Sequence, residues 1–376
     1  MFDTPRGRFR TERVILAGAL PRERDVETPM KELADLVASA CGKVIGTMTQ
    51  SRPHPDPRTY LGKGKIRELR DLAENCDADL IVMDDDLTPV QVRNIEAALE
   101  RRVIDRSELI LHLFALRART RQAQDQVELA LLEYLRPRLR RMWTHLERID
   151  GPIGMRGPGE KQIETDRRLA DRRIKDLRDR IGKIQDRRKR EVASREGIPS
   201  ISLIGYTNAG KTSLWNRLTR GDGLVEDRPF STLDTRTKRW YAEAGRPVLV
   251  SDTVGFIRKL PHRLIASFQA TLEETLHADL LLHVVDAASP HPEADLDAVE
   301  KVLQELGCAE HPRWRILNKI DRLTDRSPLA LLRGPGTALE ISARTGEGGD
   351  ALRQALSDWA SAGRPARAGK APDGAS

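Results

Sequence analysis

One stretch, GYTNAGKT (205–212), constrains this 376-residue chain more than any other. It fits G-x-x-x-x-G-K-[ST] at every fixed position. The apolar run PSISLIG (199–205) leads into it, and SLWNRL, which reads as a helix, follows. Strand, glycine loop and helix form the context in which this motif cradles phosphates, and a chance glycine turn would not supply it. Gly205 and Gly210 let the backbone curl so that the amides of the intervening Tyr206, Thr207, Asn208 and Ala209 point inward. Lys211 then reaches the β- and γ-phosphates and the Thr212 hydroxyl ligates Mg²⁺.

Further segments, in order, decide which nucleotide. RPVLVSDTVGF (246–256) reads as a strand ending in Asp252, placed to hold a metal through its water shell. Thr253 and Val254 lead on to Gly255, whose N–H can donate to a γ-phosphate. WRILNKID (314–321) is a strand ending in Asn-Lys-x-Asp. In it Asp321 can accept the guanine N1–H and exocyclic amine together, a pattern adenine does not offer. Asn318 and the Lys319 stem, with Ile320 between them and Asp321, support the base and the phosphate loop. ALEISAR (338–344) ends in Ser342, Ala343 and Arg344, where a backbone N–H can donate to the guanine oxygen. A site of buried polar groups rejects adenine by ~10⁴ or more. The pattern disfavours a P-loop kinase and makes GTP or GDP with Mg²⁺ the expected ligands.

Between the glycine loop and Asp252 lies EDRPFSTLDTRTK (226–238), polar and threonine-rich, where a switch segment belongs. A threonine there completes the Mg²⁺ shell only when the γ-phosphate is present. Thr232, Thr235 and Thr237 all qualify chemically. After Gly255, where many GTPases carry a water-orienting glutamine, stands Phe256, and Arg258 is the arginine nearest to it. Intrinsic turnover of ~10⁻³ s⁻¹ or below, accelerated by a partner, is the expectation.

The rest of the chain divides by pattern into an N-terminal α/β domain (1–105), a basic helical hairpin (106–197), the nucleotide domain (198–360) and a disordered tail (361–376). In the first, 13–19, 43–48, 79–84 and 102–105 read as parallel strands, with helices at 29–40, 63–75 and 89–100. The last helix begins TPVQ, a Thr N-cap followed by Pro at the first helical position. GKGK (62–65) lacks the earlier glycine of a second phosphate loop and reads as a loop capping helix 63–75.

In the second block Leu132, Leu135, Leu139, Met142, Leu146 and Ile149 form one apolar seam, and Ala170, Ile174, Leu177, Ile181 and Ile184 another. Two such seams flanking a glycine loop predict an antiparallel helical hairpin, broken or kinked at Pro137. The alternative is that each arm packs on the neighbouring domain. Residues 117–196 hold 23 Lys+Arg against 14 Asp+Glu, a net +9, whereas the whole chain is +7. The basic excess therefore belongs to this block, and an elongated basic arm suits a phosphate backbone. The three cysteines fit no metal or disulfide spacing. No signal peptide and no apolar run long enough to span a bilayer is found, so a reduced cytoplasmic location is expected.

RGPGEKQIETDRR before a long basic helix, GYTNAGKT, FSTLD, DTVGF and NKID together resemble the HflX family of ribosome-associated GTPases. YLGKGKIREL (60–69) is similar to that family's N-terminal domain. The resemblance covers roughly residues 10–360. It implies an N-terminal α/β domain, a hairpin and a Ras-like P-loop domain. It also implies binding to the large ribosomal subunit and its rRNA, stimulated GTP hydrolysis there, and splitting or rescue of stalled or idle ribosomes. By the resemblance Thr232, in Phe230-Ser231-Thr232-Leu233-Asp234, is the switch threonine that ligates Mg²⁺. Asn208 matches an asparagine with which some relatives hold K⁺. Lys211, Thr232 and Gly255 carry the catalytic roles. The hairpin tip, with Gly154, Arg156, Gly157, Gly159 and Lys161, reaches RNA. The glycines allow close backbone approach and the cations supply charge; a plain helix–helix turn is the competing view.

Lys161 stands where the family usually has Thr, Ser231 where Ala is usual and Thr235 where Pro is usual. Many relatives carry an extra C-terminal domain, whereas the last helix expected here is near Trp359. A monomer off the ribosome is expected, with no DNA partner. A GTP-gated RNA-binding or assembly module without splitting activity is the second reading.

Overall fold

The computed structural model describes residues 12–20, 27–138, 160–193, 197–221, 223, 229–230, 235–242, 245–259 and 277–362. They belong to two compact units, Met1–Gly182 and Lys183–Ser376.

The first unit begins as alternating β and α: β1 (Arg13–Leu20), α1 (Glu27–Ser39), β2 (Lys43–Ser51), α2 (Lys63–Asn75), β3 (Leu80–Met83), α3 (Pro89–Leu99) and β4 (Arg102–Asp105). The strands form a parallel sheet in the order β2-β1-β3-β4. Val14–Ala17 and Leu80–Met83 are continuous apolar runs because the two central strands are buried on both faces. The TPVQ signal works as a capping box: the Thr88 hydroxyl accepts from the Gln91 amide, and the Gln91 side chain returns a bond to the Thr88 N–H. GKGK opens α2, with the Gly62 N–H held by Gln50 Oε1 at 2.8 Å.

Helix α4 (Arg106–Arg117) follows β4 without a loop and packs on α1, β3 and β4. It buries Leu109, Ile110, Leu111, Leu113 and Phe114. The α/β core thus runs past residue 105, where the sequence pattern drew its boundary. At this junction Asp105 is fully buried. It caps α4 through the Glu108 amide (2.9 Å) and accepts from the Leu87 amide (3.1 Å), the Tyr134 hydroxyl (2.6 Å) and Arg138 (2.9 Å). Burial raises its pKa, while Arg138 and the amides oppose the rise. Tyr134 lies in α5 (Arg121–Leu135) and Arg138 just beyond it, with the guanidinium 3.6 Å from the Tyr134 ring centroid. The end of α5 is therefore fastened to the edge of the sheet.

Helix α5 ends two residues before Pro137, as expected of a ring that blocks helical hydrogen bonding. The long α6 (Glu160–Ala193) meets it through Leu129 and Leu132 against Ile174, Leu177 and Ile181. Ion pairs flank the seam: Arg173 grips Glu128 with two bonds (2.7 and 2.6 Å), Arg178 meets Glu133 (2.7 Å) and Arg136 meets Asp171 (2.6 Å). The run DRRIKDLRDR thus spends part of its charge on α5. Arg167, Arg168, Arg172, Lys175 and Arg180 remain on the exposed side. The seam positions Leu139, Met142, Leu146 and Ile149, and the tip residues 151–159, lie outside the described residues, as does the side chain of Lys161.

The second unit holds β5 (Ser200–Ile204), α7 (Lys211–Thr219), β6 (Arg236–Tyr241), β7 (Pro247–Asp252), β8 (Leu280–Asp286), α8 (Pro292–Glu305), β9 (Arg313–Asn318), α9 (Leu329–Leu332), β10 (Ala338–Glu340) and α10 (Gly349–Ser361). Its sheet order is β10-β9-β8-β5-β7-β6, parallel except for the antiparallel edge strand β6. Lys238 and Arg239 sit exposed on that edge, charges that discourage further strand pairing. β5 lies between β7 and β8, so the glycine loop leaves the sheet near its centre. β8 is apolar except for its last residue, Asp286, and for His283, which is buried. Desolvation, reinforced by Arg315, Arg313 and Lys211, lowers its pKa to about 3 and keeps it neutral.

Candidate functional site

The C-terminal ends of β5, β7 and β9, with the loop after β10, bring the four sequence motifs together. This is where open α/β sheets bind ligands. Lys211, the first residue of α7, is buried. Its ammonium donates to the carbonyls of Gly205 (3.1 Å) and Tyr206 (2.8 Å). Thr212 donates through Oγ1 to Asp252 Oδ2 at 2.8 Å, joining the loop to the end of β7. A hydroxyl and a carboxylate converging here are hard oxygen donors, and the pair fits Mg²⁺ as direct and water-mediated partner. Gly255 backs onto Thr207 and the Lys211 ammonium.

Asn318 joins the phosphate loop to the base-side loop. Its Nδ2 donates to the Ala209 carbonyl (2.8 Å) and its Oδ1 accepts the Ala343 amide (2.9 Å). The Ala343 N–H, one of the backbone donors at this strand end, is directed at Asn318. Asp321 accepts from Ser342 Oγ (2.6 Å) and from Arg344 (2.5 Å), and these two partners hold its carboxyl below the usual range. Arg344 is mostly exposed and can swing aside, whereas Ser342 is buried. Lys319, in a left-handed turn, pairs with Asp286 at 2.6 Å, and Ile320 is buried beside it. Asp286 escaped the sequence reading because nothing in VVDAAS ties it to NKID.

The switch candidates separate. Thr237 lies in β6 and its hydroxyl shares a hydrogen bond with Ser251 (2.9 Å) within the sheet. Thr235 is described without regular structure. Ser231, Thr232, Leu233 and Asp234 lie outside the described residues. The neighbouring Phe230 is buried, and its amide donates to Thr207 Oγ1 at 3.0 Å.

The segment after Asp252 runs along the phosphate loop, with side chains turned into the core. Thr253 donates to the Leu203 carbonyl (2.6 Å), and Val254 is buried. Phe256 is 1% exposed, packed against Ile204, Ala278, Leu281 and Val299. Its backbone accepts from the Thr207 amide (2.7 Å) and donates to the Gly205 carbonyl (3.0 Å). Arg258 is held by Asp295 (2.8 Å), lies over the Tyr206 ring at 5.8 Å, and donates its amide to the Tyr206 hydroxyl (3.1 Å).

Burial lowers the Lys211 pKa to about 8, with Asp252 opposing the shift and Lys319 adding to it. A phosphate binds the ammonium form. Below pH 8 the lysine carries its proton already; above it, binding has to take one up. GDP affinity is therefore expected to be flat up to about pH 8 and to weaken by up to about tenfold per pH unit beyond it. Dissociation constants measured from pH 7 to 9.5 check this, and a flat profile would mean that Lys211 keeps its proton throughout.

Three family models match consecutive parts of the chain: GTP-binding GTPase N-terminal over residues 27–115, GTP-binding GTPase Middle Region over 117–195 and 50S ribosome-binding GTPase over 200–319. GTPase HflX of Caldanaerobacter subterraneus subsp. tengcongensis is 43% identical over 347 residues, 92% of this chain and 80% of that protein. GTPase HflX of Escherichia coli (strain K12) is 44% identical over 342 residues, 90% of this chain and 80% of that protein. The chain belongs to the GTPase HflX family. Among solved structures, the GDP complex of SsGBP matches with a TM-score of 0.50 and 26% identity, covering 94% of this chain and 99% of that one. The HflX assignment carries with it a guanine-nucleotide domain of the P-loop class, in accord with the Asn318–Asp321 geometry. No helix among the described residues is long and apolar enough to cross a membrane.

Proposed function

We propose that this chain is a GTP hydrolase that binds the large ribosomal subunit through rRNA and uses its GTP cycle to split or rescue stalled or idle ribosomes. The observation that carries the partner-dependent part is the position of Phe256. The residue that would orient the attacking water is an aromatic ring packed into the core. Arg258, two residues further on, is engaged with Asp295 and Tyr206. Chemistry of this kind rests on positioning and electrostatic stabilisation, and an external group can supply both. A chain with such a site turns over slowly alone and quickly on its partner.

In this reading the phosphate-loop amides from Tyr206 to Gly210 and the Lys211 ammonium hold the phosphates, and Gly255 donates to the γ-phosphate. Thr212 and Thr232 would hold Mg²⁺, with Asp252 behind its water shell, and the ion would supply charge neutralisation to the phosphates. Asp321 reads the base, Asn318 joins its loop to the phosphate loop, and Lys319 packs alongside. Asn208 is the residue that would hold K⁺. The exposed arginines of α6 and the tip residues Gly154, Arg156, Gly157, Gly159 and Lys161 face ribosomal RNA.

The test is GTP hydrolysis with and without purified large subunits, in K⁺ and in Na⁺, with Lys211→Ala as the blank. Stimulation of about tenfold or more is expected, lost on deletion of residues 153–159 while GTP affinity stays. A flat response with tight GTP binding would move the partner elsewhere, to another RNA or a protein. Equal rates in the two salts would remove K⁺.

A further inference from the structure

Arg217 is absorbed by none of the nucleotide motifs. It stands in the last turn of α7, the helix that Lys211 begins, about 9 Å further along the axis at 1.5 Å per residue. Its guanidinium donates to three successive carbonyls of the loop after β10: Ala343 (3.2 Å), Arg344 (3.3 Å) and Thr345 (3.1 Å). This loop carries Ser342, which bonds Asp321 through its hydroxyl, and Ala343, whose amide holds Asn318. Three neighbouring carbonyls that face one way repel one another. A planar cation with several fixed N–H donors suits that arrangement, and a single ammonium does not. Gly346, at φ +98°, makes the fit possible, since a side chain there would overlap the guanidinium. The last helix joins the arrangement, because Arg353 donates to the carbonyl of Arg217 itself (3.0 Å).

We propose that Arg217 is a positioning residue for guanine recognition. Its guanidinium clamps loop 343–345 to the phosphate-binding helix, so that the base-reading and phosphate-binding halves of the site keep one spacing. The loop also bonds to itself, from the Gly346 amide to the Ser342 carbonyl (2.8 Å) and from the Thr345 amide to Ser342 Oγ (3.0 Å). Those bonds set its local shape; the hydrogen bonds that tie it to α7 and to the phosphate loop come from Arg217 and Asn318, beside the apolar packing of Ala343 in the core. Asn318 is buried, whereas Arg217 is exposed. Without the guanidinium the carbonyls turn to water at little cost in stability, while the loop is freed to shift against the helix. The effect is thus expected in nucleotide residence and base preference, with little change in folding.

The inference rests on Asp321 and its loop reading guanine, and the test separates the two. Release of a ribose-labelled fluorescent GDP, competition by GDP and by inosine diphosphate, and thermal melting would be compared for wild type, Arg217→Met and Arg217→Lys. Inosine diphosphate lacks only the exocyclic amine that Asp321 accepts. Arg217→Met keeps an apolar stem and removes every donor. It is expected to release GDP about tenfold faster and to narrow the preference for GDP over inosine diphosphate about fivefold. Its melting temperature should stay within about 2 °C of wild type, and Arg217→Lys should fall between the two.

Unchanged release in Arg217→Met overturns the proposal. Equal losses for the two nucleotides also overturn it, because Arg217 would then act on the phosphate end or on folding. A large drop in melting temperature with the base preference intact has the same meaning. If wild type itself does not prefer GDP, the guanine reading fails first, and the clamp falls with it.

Discussion

Asp321→Asn is expected to exchange guanine for xanthine. The carboxylate offers two acceptors to the N1–H and exocyclic amine of guanine. Asparagine offers one acceptor and one NH₂, and the NH₂ would then face the amine donor to donor. GDP affinity should fall by about 10⁴, the discrimination typical of a site built on hydrogen bonds when a polar partner is left unmatched. Xanthine carries an oxygen in place of the amine, which the new NH₂ can reach while the side-chain oxygen still accepts N1–H. Xanthosine diphosphate should accordingly bind far better to the variant than GDP does. The amide can still accept from Ser342, which sits 2.6 Å away, so the loop retains that support. Competition binding with GDP, xanthosine diphosphate and ADP reads the outcome. A variant that keeps its guanine preference would remove Asp321 from the base site and leave the family assignment untouched.

The second large effect is expected from Gly210→Ala. Gly210 has φ +92° and immediately precedes α7, and a methyl group there would overlap Nδ2 of Asn318. Asn318 is buried and cannot retreat without giving up its bonds to Ala209 and Ala343. Backbone strain at this φ and an orphaned buried amide together are expected to destabilise the second unit by about 3–5 kcal/mol. Nucleotide affinity should drop at least about a hundredfold, since the phosphate loop and the base loop both lose their common anchor. Denaturant melts and GDP titration of the same variant check the two parts. Wild-type stability together with wild-type binding would show that the loop relaxes around a methyl group at no cost.

Most of the framework could be read directly because its signals are local. The strand starting at Lys43, the helix opened by Thr88 and Pro89, and the strand–loop–helix around Gly205 each announce themselves within a dozen residues. The guanine motifs were legible for a related reason, since each sits at the end of an apolar strand whose place in the sheet follows from the pattern. What escaped was long-range. Nothing in SLWNRL shows that Arg217 answers to carbonyls 126 or more residues away. Nothing near Asp105 shows that Tyr134 and Arg138 will close on it. The seam of α5 was read as starting at Leu132, although the helix begins at Arg121 and Leu129 already takes part. Its earlier turns face α4, so they lack the narrow stripe of a two-helix contact. Hydroxyl chemistry is the same in a switch and in an edge strand, so nothing in the residue type shows that Thr237 pairs with Ser251 across β6 and β7.

Helix α6 has a mechanical consequence. At 1.5 Å per residue it is a rod about 51 Å long. Among the described residues, α5 grips it along the stretch from Asp171 to Ile181. The turns from Glu160 to Ala170 extend about 16 Å past that grip. A span built this way is set by the number of residues in it and hardly varies with temperature or salt, unlike a span bridged by flexible chain. Arg173, Arg178 and Arg136 keep the rod from sliding on its seat, so adding or removing whole turns ahead of Asp171 would change its reach in steps of about 5.4 Å while leaving the seat alone. The arm works as a gauge block, with its length written in residues.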